Sequence, residues 1–142
     1  MKPLLVYSRG VRPLRNGNIS AKAYPFWDQL IALLAPDFEI VEVVKEPLDE
    51  LEKLLKRAKY VVACDSFLQH FCWYIGVKCI TLWGTSDPLI FGHEENINLL
   101  KNRGYLRPNQ FDMWEGDPVN PNAFVTPEEV LKAVSSYPGN LP

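Results

Sequence analysis

No apolar run in this chain approaches the roughly 20 residues of a membrane span. No basic run suggests a membrane surface, and a net charge of −2 gives no reason to expect nucleic-acid binding. Cysteine is scarce and odd in number. Cys64, Cys72 and Cys79 are spaced by eight and seven residues, which does not match the paired short spacings of structural zinc sites. They read as small buried thiols of a reducing compartment, with Cys64, at a strand end, the one position where a reactive thiol is conceivable. Also missing are the phosphate-loop pattern Gly-x-x-x-x-Gly-Lys-Ser/Thr, the dinucleotide pattern Gly-x-Gly-x-x-Gly and the nucleophile elbow Gly-x-Ser-x-Gly. These absences argue against a P-loop NTPase, the usual dinucleotide enzymes and an elbow-type hydrolase. The opening MKPLLVYS has too short an apolar core for a signal peptide and reads as a first strand, so a cytoplasmic protein is expected. The 142 residues carry no internal repeat and are expected to form a single domain.

What is present alternates between two periods. Pro3–Ser8 reads as a strand, followed by a polar loop over Arg9–Ser20. Ala21–Ala35 reads as a helix, with Pro25 in its first turn and Phe26, Leu30, Ile31 and Leu34 forming one apolar face. Phe38–Val44 mixes Glu39 and Glu42 with apolar residues, as expected near a sheet edge. A helix opened by Pro47 and Asp49 runs to about Lys59, with leucines inward and Glu50, Glu52, Lys53, Lys56 and Arg57 on a solvated side. Tyr60–Cys64 is a fully buried strand, Ser66–Ile75 a helix stopped by Gly76, and Cys79–Trp83 another strand. Glu95–Leu100 holds a short edge strand. Lys101–Asn122 is loop-rich but contains Phe111, Met113 and Trp114, so it is expected to fold back on the body. Thr126-Pro-Glu-Glu opens a last helix with a capping box, and the tail SYPGNLP ends the chain.

Strands without polar alternation, separated by helices, imply an α/β fold: a three-layer, Rossmann-like, doubly wound parallel sheet. In such a sheet ligands sit beyond the carboxyl ends of the strands, at the topological switch point. That brings the loop before Lys22, the Asp65-Ser66 turn and Gly84–Pro88 to one rim.

Each of these segments has two readings. Asp65-Ser66 opens a helix whose free N–H groups suit a phosphate, with Asp65 accepting from sugar hydroxyls; the same pair also serves as a plain N-cap. His70, four residues after Ser66, shares its helix face and can reach an anion at the helix start, or it is a satisfied core residue. Gly84-Thr85-Ser86-Asp87-Pro88 is either a loop that holds a base or ribose or simply a tight turn. Lys22 at a helix start is unfavourable against the helix dipole unless an anion is bound nearby, although a solvated lysine costs little there.

Order and spacing together are more specific than any one motif. AKAYP (Ala21–Pro25), DSFLQH (Asp65–His70), Gly76, CITLW, WGTSDP (Trp83–Pro88) and the closing VTPEEVLKAV run in the same sequence. They resemble the carboxyl-terminal domain of heptosyltransferase-like glycosyltransferases, the family that uses ADP-heptose on lipopolysaccharide core. The resemblance implies one half of a GT-B fold that binds a nucleotide or nucleotide sugar of the ADP-sugar kind. It implies Lys22 as a phosphate contact, Asp65 at the sugar, Ser66 and His70 at the diphosphate, and Thr85 and Asp87 in a loop near the nucleotide. It implies no cofactor and no metal.

Three departures stand against it. Phe67 replaces the family's glycine after Asp-Ser and is expected to crowd the diphosphate. The strand and loop that carry a ribose-binding glutamate are shortened, leaving Glu46 as the candidate. The family's amino-terminal domain, with the acceptor site and catalytic base, has no counterpart in these residues. Transfer by this chain alone is therefore not expected; a second domain, a subunit or a homodimer across the open face would complete the site. The competing function is a stand-alone nucleotide-ligand-binding or protein-interaction module that has lost transfer, with an interface near Trp27, Trp73 or Trp114. An independent small hydrolase ranks last.

Overall fold

Strands whose every side chain is buried need cover on both faces, and the sheet supplies the reason. The computed structural model describes residues 1–140; the last two residues of the tail, Leu141 and Pro142, lie outside the described residues. Five strands run parallel: β1 (Leu4–Tyr7), β2 (Glu39–Glu42), β3 (Tyr60–Cys64), β4 (Ile80–Trp83) and β5 (Ile97–Leu100). Their spatial order is β2-β1-β3-β4-β5. The central strands β1, β3 and β4 are buried throughout, and the edge strands β2 and β5 are only partly covered.

Period-two alternation assigns each residue to a layer. Leu5, Tyr7, Tyr60, Val62 and Cys64 face a core shared with Leu30 and Leu34 of α1 (Trp27–Leu34) and Val130 and Val134 of α5 (Pro127–Ser136). Leu4, Val6, Val61 and Ala63 face the opposite core, shared with Leu51 and Leu55 of α2 (Leu48–Arg57) and Leu68 and Cys72 of α3 (Phe67–Ile75). The result is the expected α/β three-layer sandwich. No helix among the described residues is long and apolar enough to cross a membrane.

Several local readings hold to the residue. α3 stops at Gly76, whose φ of 78° is left-handed and costs glycine nothing. α5 begins with the full capping box: Thr126 Oγ1 accepts from Glu129 N at 3.2 Å while Glu129 Oε1 accepts from Thr126 N at 3.4 Å. The loop after β5 folds back as expected, with Arg107 N donating to Thr85 O at 3.0 Å.

The first helix is a correction. It starts at Trp27, so Lys22 sits in a turn ahead of the helix and Pro25 precedes the first turn. The segment is pinned as a turn by Ala23 N donating to Ser20 O (3.0 Å), Lys22 N donating to Ser20 Oγ (3.2 Å) and Tyr24 N donating to Cys64 Sγ (3.4 Å). Tyr24 also precedes a proline, which disfavours the helical region. A further short helix, α4 (Pro88–Phe91), follows β4 where the sequence reads as a ligand-holding loop or a tight turn.

Candidate functional site

With strand order β2-β1-β3-β4-β5, the chain leaves β1 in one direction for β2, while β3 lies on the other side. The crevice between the carboxyl ends of β1 and β3 is the switch point. The loop after β1 and the turn after β3 border it. There Lys22 Nζ lies 3.5 Å from Asp65 Oδ2. The Asp65 side chain is only 6% exposed. Its Oδ1 accepts from Gln69 Nε2 at 3.1 Å, but its Oδ2 is buried without a hydrogen-bond partner. Burying an acceptor unpaired costs about 1–3 kcal/mol, and more for a charged group. The lysine offsets part of this by charge alone.

A strap formed by residues 107–117 closes the crevice from the outside. Arg107 holds the strap together from within: NH1 donates to Asp112 O at 2.8 Å, NH2 donates to Met113 O at 2.6 Å, and Nε pairs with Asp117 Oδ2 at 2.7 Å. The Arg107 guanidinium also lies 3.8 Å from the centre of the Trp114 ring, and Lys22 Nζ lies 5.0 Å from the same ring. Phe91 of α4 offers its ring to Lys22 at 5.6 Å. Arg15, from the loop after β1, reaches Glu115 of the strap at 3.9 Å. Together Arg12, Arg15, Ser20, Lys22, Asp65 and Trp114 border a cavity of about 360 Å³. Its walls combine three cations, two carboxylates and one indole.

The structure brings Lys22 and Asp65 together in this cavity. Ser66 stands beside it as the N-cap of α3, with extended backbone (φ −155°, ψ −175°) and no side-chain cap bond, so its hydroxyl is not consumed by the helix. Ser66 lines a neighbouring hollow of about 310 Å³ with Glu46 and Phe67. Glu46 spends Oε2 on Val44 N at 3.1 Å. Phe67 does not border the Lys22 cavity; its exposed ring stacks on Phe71 with centroids 5.4 Å apart.

His70 also lies outside the cavity lining. Its Nδ1 is 2.8 Å from Nε2 of His93, and the two rings meet edge-on. Burial, then the neighbouring His93, pulls its pKa below the usual imidazole value and favours the neutral ring.

The loop after β4 has its own occupations. Thr85 O accepts from Arg107 N and from Gln110 Nε2 (2.9 Å), while its Oγ1 is buried and unpartnered. Asp87 is almost wholly buried. Its Oδ1 caps α4 at Leu89 N (2.9 Å), and Arg103 grips both oxygens at 3.1 and 2.8 Å. That hydrogen-bonded guanidinium holds the Asp87 carboxyl below the usual range. Gly84 does permit a close approach, but the group that approaches is the Phe124 ring, which a Cβ would meet at 2.4 Å. Cys64 is not a reactive thiol: burial pushes it up to about 12.

Sequence reading missed Arg12, Arg15, Gln69 and the strap. The arginines lie in a loop without periodicity, and Trp114 signalled only that its loop packs somewhere. Gln69 had a signal, being an amide on an otherwise apolar helix.

Residues 27–109 match the pattern of glycosyltransferase family 9 (heptosyltransferase). That stretch includes Asp65, Ser66, His70, Thr85 and Asp87 and begins after Lys22. No curated protein matches the sequence. Solved structures do match in fold. The E. coli heptosyltransferase WaaC with ADP is 19% identical, with 94% of this chain and 44% of that one covered and a TM-score of 0.63. The dodecameric iron-containing heptosyltransferase TibC, in complex with ADP-D-β-D-heptose, is 14% identical, with 95% and 45% covered and a TM-score of 0.65. E. coli ADP-heptose LPS heptosyltransferase II is 16% identical, with 94% and 47% covered and a TM-score of 0.58. The chain thus spans somewhat under half the length of these proteins and shares one Rossmann-like half of their GT-B fold. A family match over more than half of its residues, on a sheet of the same architecture, means that the chain belongs to glycosyltransferase family 9, the heptosyltransferases.

Proposed function

We propose that the crevice between β1 and β3 binds a nucleotide sugar of the ADP-sugar kind, as the donor-binding half of a glycosyltransferase. The observation that carries this reading is the buried, unpaired Asp65 Oδ2 beside Lys22. A sugar hydroxyl is the donor that Oδ2 lacks. The cations that line the same cavity, Lys22, Arg12 and Arg15, suit a diphosphate. The start of α3, with free N–H groups and an uncommitted Ser66 hydroxyl, adds anion-binding donors on the same rim. The unpaired Thr85 hydroxyl is a further donor towards the nucleotide. In this reading Asp87 shapes the loop through Arg103, and His70 reaches the diphosphate only by releasing His93. The ligands of the similar structures, ADP and ADP-D-β-D-heptose, are of the same class.

Glycosyl transfer needs, besides donor binding, a base that deprotonates the acceptor. We assign to these residues the donor wall alone, with acceptor and base supplied by a second wall, whether domain or subunit.

Titration calorimetry with ADP, an ADP-sugar and inorganic pyrophosphate tests the reading. Lys22→Ala weakens ADP and the ADP-sugar alike, by about tenfold or more for a lost charge-assisted contact. Asp65→Asn weakens the ADP-sugar and leaves ADP nearly unchanged. No heat with any nucleotide or nucleotide sugar overturns it.

A further inference from the structure

Helix α3 reads FLQHFCWYI and contains no charged residue. At about 100° per residue, its inward arc holds Leu68, Gln69, Cys72 and Ile75, packed on the sheet. The remaining arc, about 160° wide, holds Phe67, His70, Phe71, Trp73 and Tyr74. A surface helix ordinarily places polar and charged residues there. Instead Phe67 is 57% exposed, Trp73 46% and Tyr74 79%. The rings are already ordered among themselves: Phe67 stacks on Phe71, and Trp73 stacks on His93 with centroids 4.5 Å apart and planes 9° apart. Val44 and Leu48, at 74% and 58% exposure, extend the apolar surface from Phe67 across the adjoining hollow.

We propose that this face binds a second copy of the same chain, α3 against α3, about a twofold axis. An isologous contact sets one patch against itself, so the patch has to be self-complementary. A charged patch of one sign repels its own copy. An uncharged aromatic one does not, and aromatic enrichment with charge depletion is the composition of an interface core. The area agrees. At 150–250 Å² for each fully buried aromatic, the exposed fractions of Phe67, Trp73 and Tyr74 amount to roughly 400 Å². Val44 and Leu48 raise this to roughly 600 Å², and two copies together cover about 1,200 Å², the lower bound of a specific interface. The face borders the hollow that Ser66 lines and shares His93 with His70, so sedimentation is run without nucleotide, where its outcome does not depend on what the rim binds.

Sedimentation velocity on the full chain, from about 1 to 200 μM, tests the proposal directly. A contact of this size gives a reversible monomer–dimer equilibrium in the micromolar range. Tyr74→Glu and, separately, Phe67→Glu place a charge opposite its own copy and shift the dissociation constant at least tenfold towards monomer. Lys53→Glu on the neighbouring helix leaves it unchanged. Circular dichroism confirms that each variant is folded. A chain that stays monomeric over the whole range overturns the proposal, as does a dimer that survives both substitutions. Binding of the monomeric chain to phosphatidylcholine vesicles, lost in Tyr74→Glu, also overturns it by giving the face a lipid surface instead.

Discussion

α2 and α3 lie on the same face of the same sheet and share one core, yet their outer surfaces are opposites. Each buries a narrow apolar stripe: Leu51 and Leu55 from α2, Leu68 and Cys72 from α3. Outward, α2 has Asp49 and Glu50 in its first turn and Lys56 and Arg57 in its last, each sign matched to the helix dipole. Lys56 Nζ meets Glu52 Oε2 at 2.7 Å, one turn away. α3 has aromatic rings in the corresponding places. The inner faces are set by the same need to cover the sheet. The outer faces are free of that need, so their difference points to function rather than folding.

Removing a buried leucine probes what the two helices have in common, and has the largest effect. Leu55→Ala and Leu68→Ala should each cost about 2–5 kcal/mol in urea unfolding. A much smaller loss for Leu68 would mean that α3 is held by its outer face and not by the core. Next comes the helix end. Gly76→Ala forces an L-residue into φ 78° and should cost about 1–2 kcal/mol. Smaller again is the surface ion pair of α2: Lys56→Ala should lose about 0.3–0.5 kcal/mol at low salt and almost nothing in 1 M salt. Two exposed substitutions with no expected net loss of stability sharpen the comparison most. Tyr74→Glu on α3 and Lys53→Glu on α2 should both stay within about 0.5 kcal/mol of the parent chain. Only the first should change how the chain sediments.

The sheet was largely legible because burial writes itself into local sequence. Tyr60–Cys64 has no polar residue and sits in the centre, while Phe38–Val44 carries two glutamates and supplies the edge strand Glu39–Glu42. The misread start of α1 has a long-range cause: Tyr24 N–H binds Cys64 Sγ, forty residues away, and that bond keeps the segment a turn. The candidate site divides in the same way. Asp65 and Lys22 were found by motif order and do meet. Asp87 was found by the same reasoning, but its carboxylate is held by Arg103. Phe67 looked like an obstruction at the diphosphate, and its ring instead points out to Phe71.

The sequence alone determined the order of the five strands and the four longer helices, the capping of α5 and the left-handed stop at Gly76. Each rests on residues within a few positions of one another, where period, propensity and backbone freedom act. Only the tertiary structure decided that Asp65 Oδ2 is left unpaired, that the Trp114 ring lies against both Lys22 and Arg107, and that His70 turns to His93. Those partners are brought together by strand order and by a loop returning over the rim. A side chain's local sequence carries no mark of which distant group will stand opposite it once the core has packed.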